Sequence, residues 1–152
     1  MSLAPTKPYN PADFDKSIFN VDKYTRRVEK PWGYELHLVP EKAPYMLKII
    51  HINAGARLSL QVHDVKVESW TLIHGEGKVQ WENNQGEMIE TILEYGVGFS
   101  TEVGQRHRLC GITDCDIIEA SLPEGNTTWR LEDDYNRPDE TPEQRKIERG
   151  EI

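Results

Sequence analysis

Cysteine is scarce in this chain: Cys110 and Cys115 are the only two among 152 residues. That is too few for a disulfide scaffold or an all-cysteine zinc site. A surplus of positive charge is also missing. Eighteen Lys+Arg stand against 26 Asp+Glu, a formal charge of −8, which excludes the diffuse cationic footprint of a nucleic-acid or membrane-surface binder. No apolar run approaches the roughly 20 residues of a membrane-spanning helix. Met1 to Asn10 holds no apolar core of a secretory signal. These absences predict a single cytoplasmic domain with neither nucleic acid nor membrane as partner. The two cysteines flank the turn 111–114, where a cross-strand disulfide would fit, although reduced thiols are the default in that compartment.

A long helical period is absent too, and a different pattern takes its place. Residues 1–27 carry Pro5, Pro8 and Pro11 with scattered Phe14, Ile18, Phe19 and Tyr24, an N-terminal arm that either wraps over the domain or frays. Met1-Ser2-Leu3 reads as a scar outside the fold. From Val28 to Leu122 short alternating runs are divided by Gly, Asn and Pro. They predict strands over 34–39, 45–53, 57–63, 66–73, 77–82, 88–93, 97–101, 106–110 and 115–122. Many short strands with no helical stretch between them predict an all-β sandwich or barrel. From Pro138 the tail is polar and charged. Thr141-Pro142-Glu143-Gln144 has the form of a helix cap, but only about two turns fit before Gly150, so a solvated tail is expected.

Chemistry concentrates in the middle. Alternation places Ser59, Gln61 and His63 on one strand face, and Lys66, Glu68, Trp70 and Leu72 on one face of the next, which would pair with it across a tight turn. Farther on, His107 shares its face with Gln105 and Leu109, with Arg106 and Arg108 opposite. Gln61, His63, Glu68 and His107 would then converge inside a barrel. Two imidazoles, one carboxylate and one amide oxygen suit a divalent transition metal: zinc first, with manganese, iron, cobalt and nickel as alternatives. His37, His51 and His74 lack such company and read as hydrogen-bonded or exposed histidines.

The spacing resembles the cupin superfamily. The first cupin motif runs Gly, five residues, His-x-His, three or four residues, Glu, six residues, Gly; here Gly55 is followed by Gln61-Val62-His63, then Glu68, then Gly75. The second runs Gly, five residues, Pro-x-Gly, two residues, His, three residues, Asn; here it reads Gly96, Glu102-Val103-Gly104, His107 and Gly111. Glu102 and Gly111 depart at turn positions, and Gln61 changes the ligand set. Within that superfamily, Pro31-Trp32-Gly33, Leu58-Ser59-Leu60-Gln61-Val62-His63, Glu68-Ser69-Trp70 and Arg130-Leu131-Glu132-Asp133 resemble the cupin domain of type II phosphomannose isomerases, over residues 28–137. The resemblance implies a double-stranded β-helix (jelly-roll) barrel, a homodimer, and a metal-dependent aldose–ketose isomerase. Its substrate would be a sugar phosphate, mannose 6-phosphate and fructose 6-phosphate first. Departures occur at Asp64-Val65-Lys66, Ser69, Phe99-Ser100-Thr101 and Pro123–Trp129.

Such an isomerase needs oxyanion stabilisation, a base near two carbons and cations for the phosphate. Lys48 shares a face with Met46, Ile50 and Ile52. It is either a base whose pKa burial lowers or an aliphatic stem reaching to the barrel mouth. Lys66 and Arg130 are expected to hold an anionic sugar, with Arg137 carried over by resemblance, Arg57 as a further candidate, and Ser59 and Trp70 as inward-facing contacts. The competing readings are a non-catalytic metal-containing cupin that binds a sugar or nucleotide sugar, and another cupin enzyme such as a dioxygenase or epimerase, since the fold hosts many reactions.

Overall fold

The computed structural model describes residues 7–152, so Met1-Ser2-Leu3 and Pro5 lie outside the described residues. The strands are β1 (Arg26–Lys30), β2 (Gly33–His37), β3 (Met46–Ile52), β4 (Leu60–His63), β5 (Glu68–His74), β6 (Gly77–Glu82), β7 (Met88–Ile92), β8 (Phe99–Thr101), β9 (His107–Gly111), β10 (Cys115–Ser121) and β11 (Thr128–Glu132). They form two antiparallel sheets, ordered β1-β2-β3-β10-β5-β8 and β11-β4-β9-β6-β7. This is an all-β jelly-roll barrel.

Alternation does most of the building. In β3 the buried residues are Met46, Lys48, Ile50 and Ile52, every second position. The β6–β7 hairpin is set by Asn83, whose side-chain oxygen accepts from the backbone N–H of Gln85 and Glu87, both at 2.9 Å, an Asx turn that a short polar side chain can make. Gly75 lies at φ +76, and a Cβ there would run into the Asp114 carbonyl, so only glycine lets these two turns touch.

Register then sorts the interior. Ile52 sits opposite Cys115 and Gly33, and Ile50 opposite Ile117 and Glu35. Lys48 sits opposite Glu119 and His37, and Glu119 opposite Trp70. Glu68 sits opposite Ser121 and Thr101. One end of the barrel is therefore an apolar core of Ile50, Ile52, Leu72, Val79, Leu109 and Ile117, and the other is charged.

Several expectations are corrected. The strand ending at His63 does not pair with the one carrying Glu68: β4 joins β11 and β9, while β5 joins β10 and β8. The residues between them cross from one sheet to the other, so His63 and Glu68 meet across the sandwich. Arg57 makes only an isolated bridge to Cys110, and the strand begins at Leu60. Two strands, β1 and β11, were not foreseen. They are edge strands rich in charge, which blurs the period-2 signal. Residues 7–25 are exposed throughout, so the arm, with short 3-10 turns at Pro11–Asp13 and Lys16–Ile18, does not wrap over the barrel.

The tail is largely exposed, yet it folds. Helix α1 (Pro142–Glu148) begins with the Gln144 N–H donating to Thr141 Oγ1 at 3.1 Å. Glu140 joins Thr128 through paired backbone hydrogen bonds. What sequence reasoning lacked was the tertiary partner that makes so short a helix stable.

Candidate active site

Three side chains from three strands converge at the charged end. Glu68 Oε1 lies 3.2 Å from His63 Nε2 and 2.7 Å from His107 Nε2, and all three side chains are at most 3% exposed. The outer ring nitrogens are held from behind: His63 Nδ1 contacts Thr128 Oγ1 and His107 Nδ1 donates to the Gln105 carbonyl, each at 2.9 Å. A carbonyl only accepts, so neutral His107 carries its proton on Nδ1 and turns the lone pair of Nε2 toward Glu68. His107 Nε2 and Glu68 Oε2 are buried without hydrogen-bond partners.

The ligand atoms of the buried triad all lie within 4.8 Å of one another, close enough to share one cation. The donor set of two imidazoles and a carboxylate fits a divalent transition metal. Gln61 lines the adjoining cavity beside His63 and pairs with His107 in the ladder. Its Oε1 accepts from Ser59 Oγ at 3.0 Å.

The cavity beside the triad measures about 60 Å³, and Ser59, Gln61, His63, Lys48, Lys66 and Glu119 are among its walls. Along it runs a chain of alternating charge. Lys66 Nζ is 3.2 Å from Glu68 Oε2 and 3.8 Å from Glu119 Oε2. Lys48 Nζ is 3.5 Å from Glu119, 3.3 Å from Glu35 and 3.1 Å from Glu124.

This corrects the expectation for Lys48. Burial does press its pKa down, but Glu119, Glu35 and Glu124 outweigh burial and raise it well above the usual lysine value. Lys48 is a fixed ammonium, neither a base nor a stem reaching water. Lys66 is raised in the same way by Glu119 and Glu68 against burial. Burial would also raise Glu68, but the Lys66 charge beside it holds it well below the carboxylate range. Glu119 goes the other way: burial and the Glu68 charge push it up to about 7, against Lys48 and Lys66. Glu119 Oε1 accepts from Trp70 Nε1 at 3.3 Å, while Oε2 has no hydrogen-bond partner.

Glu119, Glu35 and Glu124 were not singled out from sequence as site residues. For Glu119 the signal was present, because Cys115, Ile117 and Glu119 alternate on one inward face. Glu124 lies in a segment between strands and carries no periodicity.

The arginines serve different ends. Arg130, with a side chain 3% exposed, lines the cavity but spends its guanidinium on Glu148, Glu140 and the Pro138 carbonyl. Arg137 also lines the cavity and forms a two-point pair with Asp133, at 2.9 and 3.0 Å. Arg57 is not part of that wall. It pairs with Asp134 in a half-exposed contact. Trp70 places its ring 5.4 Å from that of His107, the two planes tilted by 46°. Of the other histidines, His51 pairs with Asp116 at 2.7 Å, His74 is exposed, and buried His37 contacts Glu35 at 3.1 Å. Cys110 and Cys115 are free thiols. No helix among the described residues is long and apolar enough to cross a membrane.

A jelly-roll barrel with an inward His–Glu–His triad defines a cupin. More narrowly, residues 19–138 match the family described as mannose-6-phosphate isomerase C-terminal, and the chain belongs to that family. Alginate biosynthesis protein AlgA of Pseudomonas aeruginosa is 30% identical over 115 residues, 72% of this chain and 23% of AlgA. The chain thus spans less than a quarter of that relative. Among solved structures, oxalate decarboxylase from Bacillus subtilis is similar at a TM-score of 0.59 and 16% identity, over 70% of this chain and 30% of the other. The capsular polysaccharide assembling protein CapF from Staphylococcus aureus is similar at 0.54 and 14%, over 84% and 34%. These two likenesses concern the fold.

Proposed function

We propose that the chain is a metal-dependent aldose–ketose isomerase module acting on a sugar phosphate, with mannose 6-phosphate and fructose 6-phosphate as the first pair to test. The observation that carries this reading is the buried His63–Glu68–His107 triad placed one lysine away from a second buried carboxylate, Glu119.

His63, Glu68 and His107, with Gln61 beside them, would hold a divalent metal, zinc first among the candidates. The ion would polarise carbonyl and hydroxyl oxygens of the sugar. The Glu119 carboxylate takes the proton from C2, giving an enediolate with its charge on O1; the O2 hydroxyl proton passes to O1, and Glu119 returns its proton to C1, which leaves the carbonyl at C2. Lys48 and Lys66 stay protonated. Their fixed charges stabilise the developing oxyanion without donating their protons. Trp70 holds Glu119 in place through its indole N–H. Membership of the mannose-6-phosphate isomerase C-terminal family supports the substrate class.

Turnover should appear with zinc, manganese or cobalt, vanish in a His63→Ala, His107→Ala double variant, and fall about 10²–10⁴-fold in Glu119→Gln, the usual range for loss of a general acid–base. Undiminished turnover in Glu119→Gln would overturn its role. No turnover with any bound metal would favour the second reading, a sugar-binding cupin without catalysis. That reading is supported by Arg130 and Arg137, whose guanidinium donors are taken by Glu148, Glu140 and Asp133 of the same chain instead of being left for a phosphate.

A further inference from the structure

We infer that the Glu124 carboxylate occupies a subsite for a phosphate group and is displaced when a phosphorylated ligand binds. Three cations close on this one side chain. Lys48 Nζ donates to its Oε1 at 3.1 Å, Arg149 Nη2 donates to Oε2 at 2.6 Å, and Arg145 Nε lies 3.8 Å from Oε2. The three cationic side chains are at most 10% exposed. Guanidinium and ammonium donors that converge on one pair of oxygens are the set that holds a phosphate.

The place of the carboxylate is reachable from two sides. Glu124 is a wall of the charged cavity and also of an outer groove of about 300 Å³, which Arg145 and Arg149 line as well. An anion in the groove therefore meets Glu124 itself, and the donors behind it open once that side chain turns away. Little holds the segment in place. Glu124 stands between β10 and β11, in neither strand, and a Cβ at the neighbouring Gly125 would meet nothing within 4 Å. Lys48 does not depend on Glu124, since Glu35 and Glu119 lie at 3.3 and 3.5 Å. Arg149 does: among the described residues Glu124 is the one carboxylate it pairs with. An incoming phosphate would take over that pairing.

Position relates this subsite to the triad. From Glu68 the contacts pass one after another to Lys66, Glu119, Lys48, Glu124 and Arg149. A sugar with its reacting carbons at Glu119 would carry its phosphate two contacts farther out, at Glu124. Burial would raise the pKa of Glu124, but Lys48 and Arg149 outweigh burial and Glu35 and hold it far below the carboxylate range. It is thus an anion at neutral pH and competes directly with a phosphate. The inference rests on the sugar-phosphate reading of the site but not on catalysis.

The test titrates the full chain, stripped of metal by a chelator, with inorganic phosphate at pH 7 in a calorimeter. Wild type should bind with a Kd above about 10 mM, because Glu124 contests the place. Glu124→Gln removes that charge with little change of shape and should bind phosphate about tenfold more tightly, the scale of a freed charge-assisted hydrogen bond. Adding Arg149→Gln to Glu124→Gln should abolish the gain. Adding Lys146→Gln, which removes an exposed cation on the same groove, should leave it. Lys48 keeps Glu35 and Glu119 in all three variants, so they should fold, and near-ultraviolet circular dichroism checks this. Equal affinity in wild type and Glu124→Gln, a gain that survives Arg149→Gln, or one lost equally with Lys146→Gln would overturn the inference. Neither sugar nor metal is present, so each result is independent of whether the metal-loaded protein turns over mannose 6-phosphate.

Discussion

Glu140 is the residue that ties the C-terminal helix to the barrel, and its removal tests how the mouth is closed. Its carboxylate is ringed by three cations: Arg130 Nη2 at 2.7 Å, Arg145 Nε at 2.9 Å and Lys30 Nζ at 3.8 Å, with its own side chain 14% exposed. Burial would raise its pKa, but Lys30, Arg145 and Arg130 bring it from 4.5 down to about 2. A carboxylate depressed on folding stabilises the fold fully above its unfolded pKa, and that stability is lost as pH falls through the folded pKa. The window here is therefore about pH 4.5 to 2. At 1.36 kcal/mol per unit, the ionised group contributes roughly 3 kcal/mol at pH 7 and about 1.4 kcal/mol at pH 3.

Glu140→Gln should accordingly lose roughly 3 kcal/mol at pH 7, in line with the 3–5 kcal/mol seen when one partner of a buried ion pair is removed. In a chain of this size that is a fall in Tm of roughly 6–12 °C. Urea denaturation of both proteins at pH 7 and pH 3 measures it. The difference must shrink at the lower pH, because wild type is then losing the same charge. A gap below about 1 kcal/mol at pH 7, or one that does not narrow at pH 3, would refute the account.

Two other outcomes are expected. Gly33→Ala should cost about 1–3 kcal/mol, since a Cβ at Gly33 would collide with the His51 carbonyl; a neutral result in thermal denaturation would mean that β2 and β3 can separate freely. Cys110 and Cys115 are buried, at 5% and 0% exposure, and burial pushes the Cys115 thiol up to about 11. A thiol reagent at pH 8 should therefore find both thiols only after denaturation, and rapid reaction of the native protein would contradict their burial.

The residues of the triad were legible because they stand on inward faces of alternating strands at the cupin spacing, and Lys48 was marked by its place among Met46, Ile50 and Ile52. The chemistry of Lys48 was not legible. A lysine on an apolar face reads as a lowered pKa until the carboxylates that ring it are known, and Glu35, Glu119 and Glu124 come from β2, β10 and a segment after β10. The arginines of the closing segment were read as cations for phosphate, yet Arg137 is matched by Asp133 four residues back, and Arg130 by Glu140 and Glu148, ten and eighteen residues farther along.

Sequence alone determined the all-β class, the inward faces and the three side chains that converge, His63, Glu68 and His107, because a two-residue period and a short motif are local properties. Tertiary structure decided that His63 and Glu68 meet across two sheets, that residues 142–148 form a helix, and which carboxylate each cation reaches. Those outcomes depend on charges far apart in the chain. Their energies arise only when folding removes water between them and lets each ammonium or guanidinium reach its carboxylate.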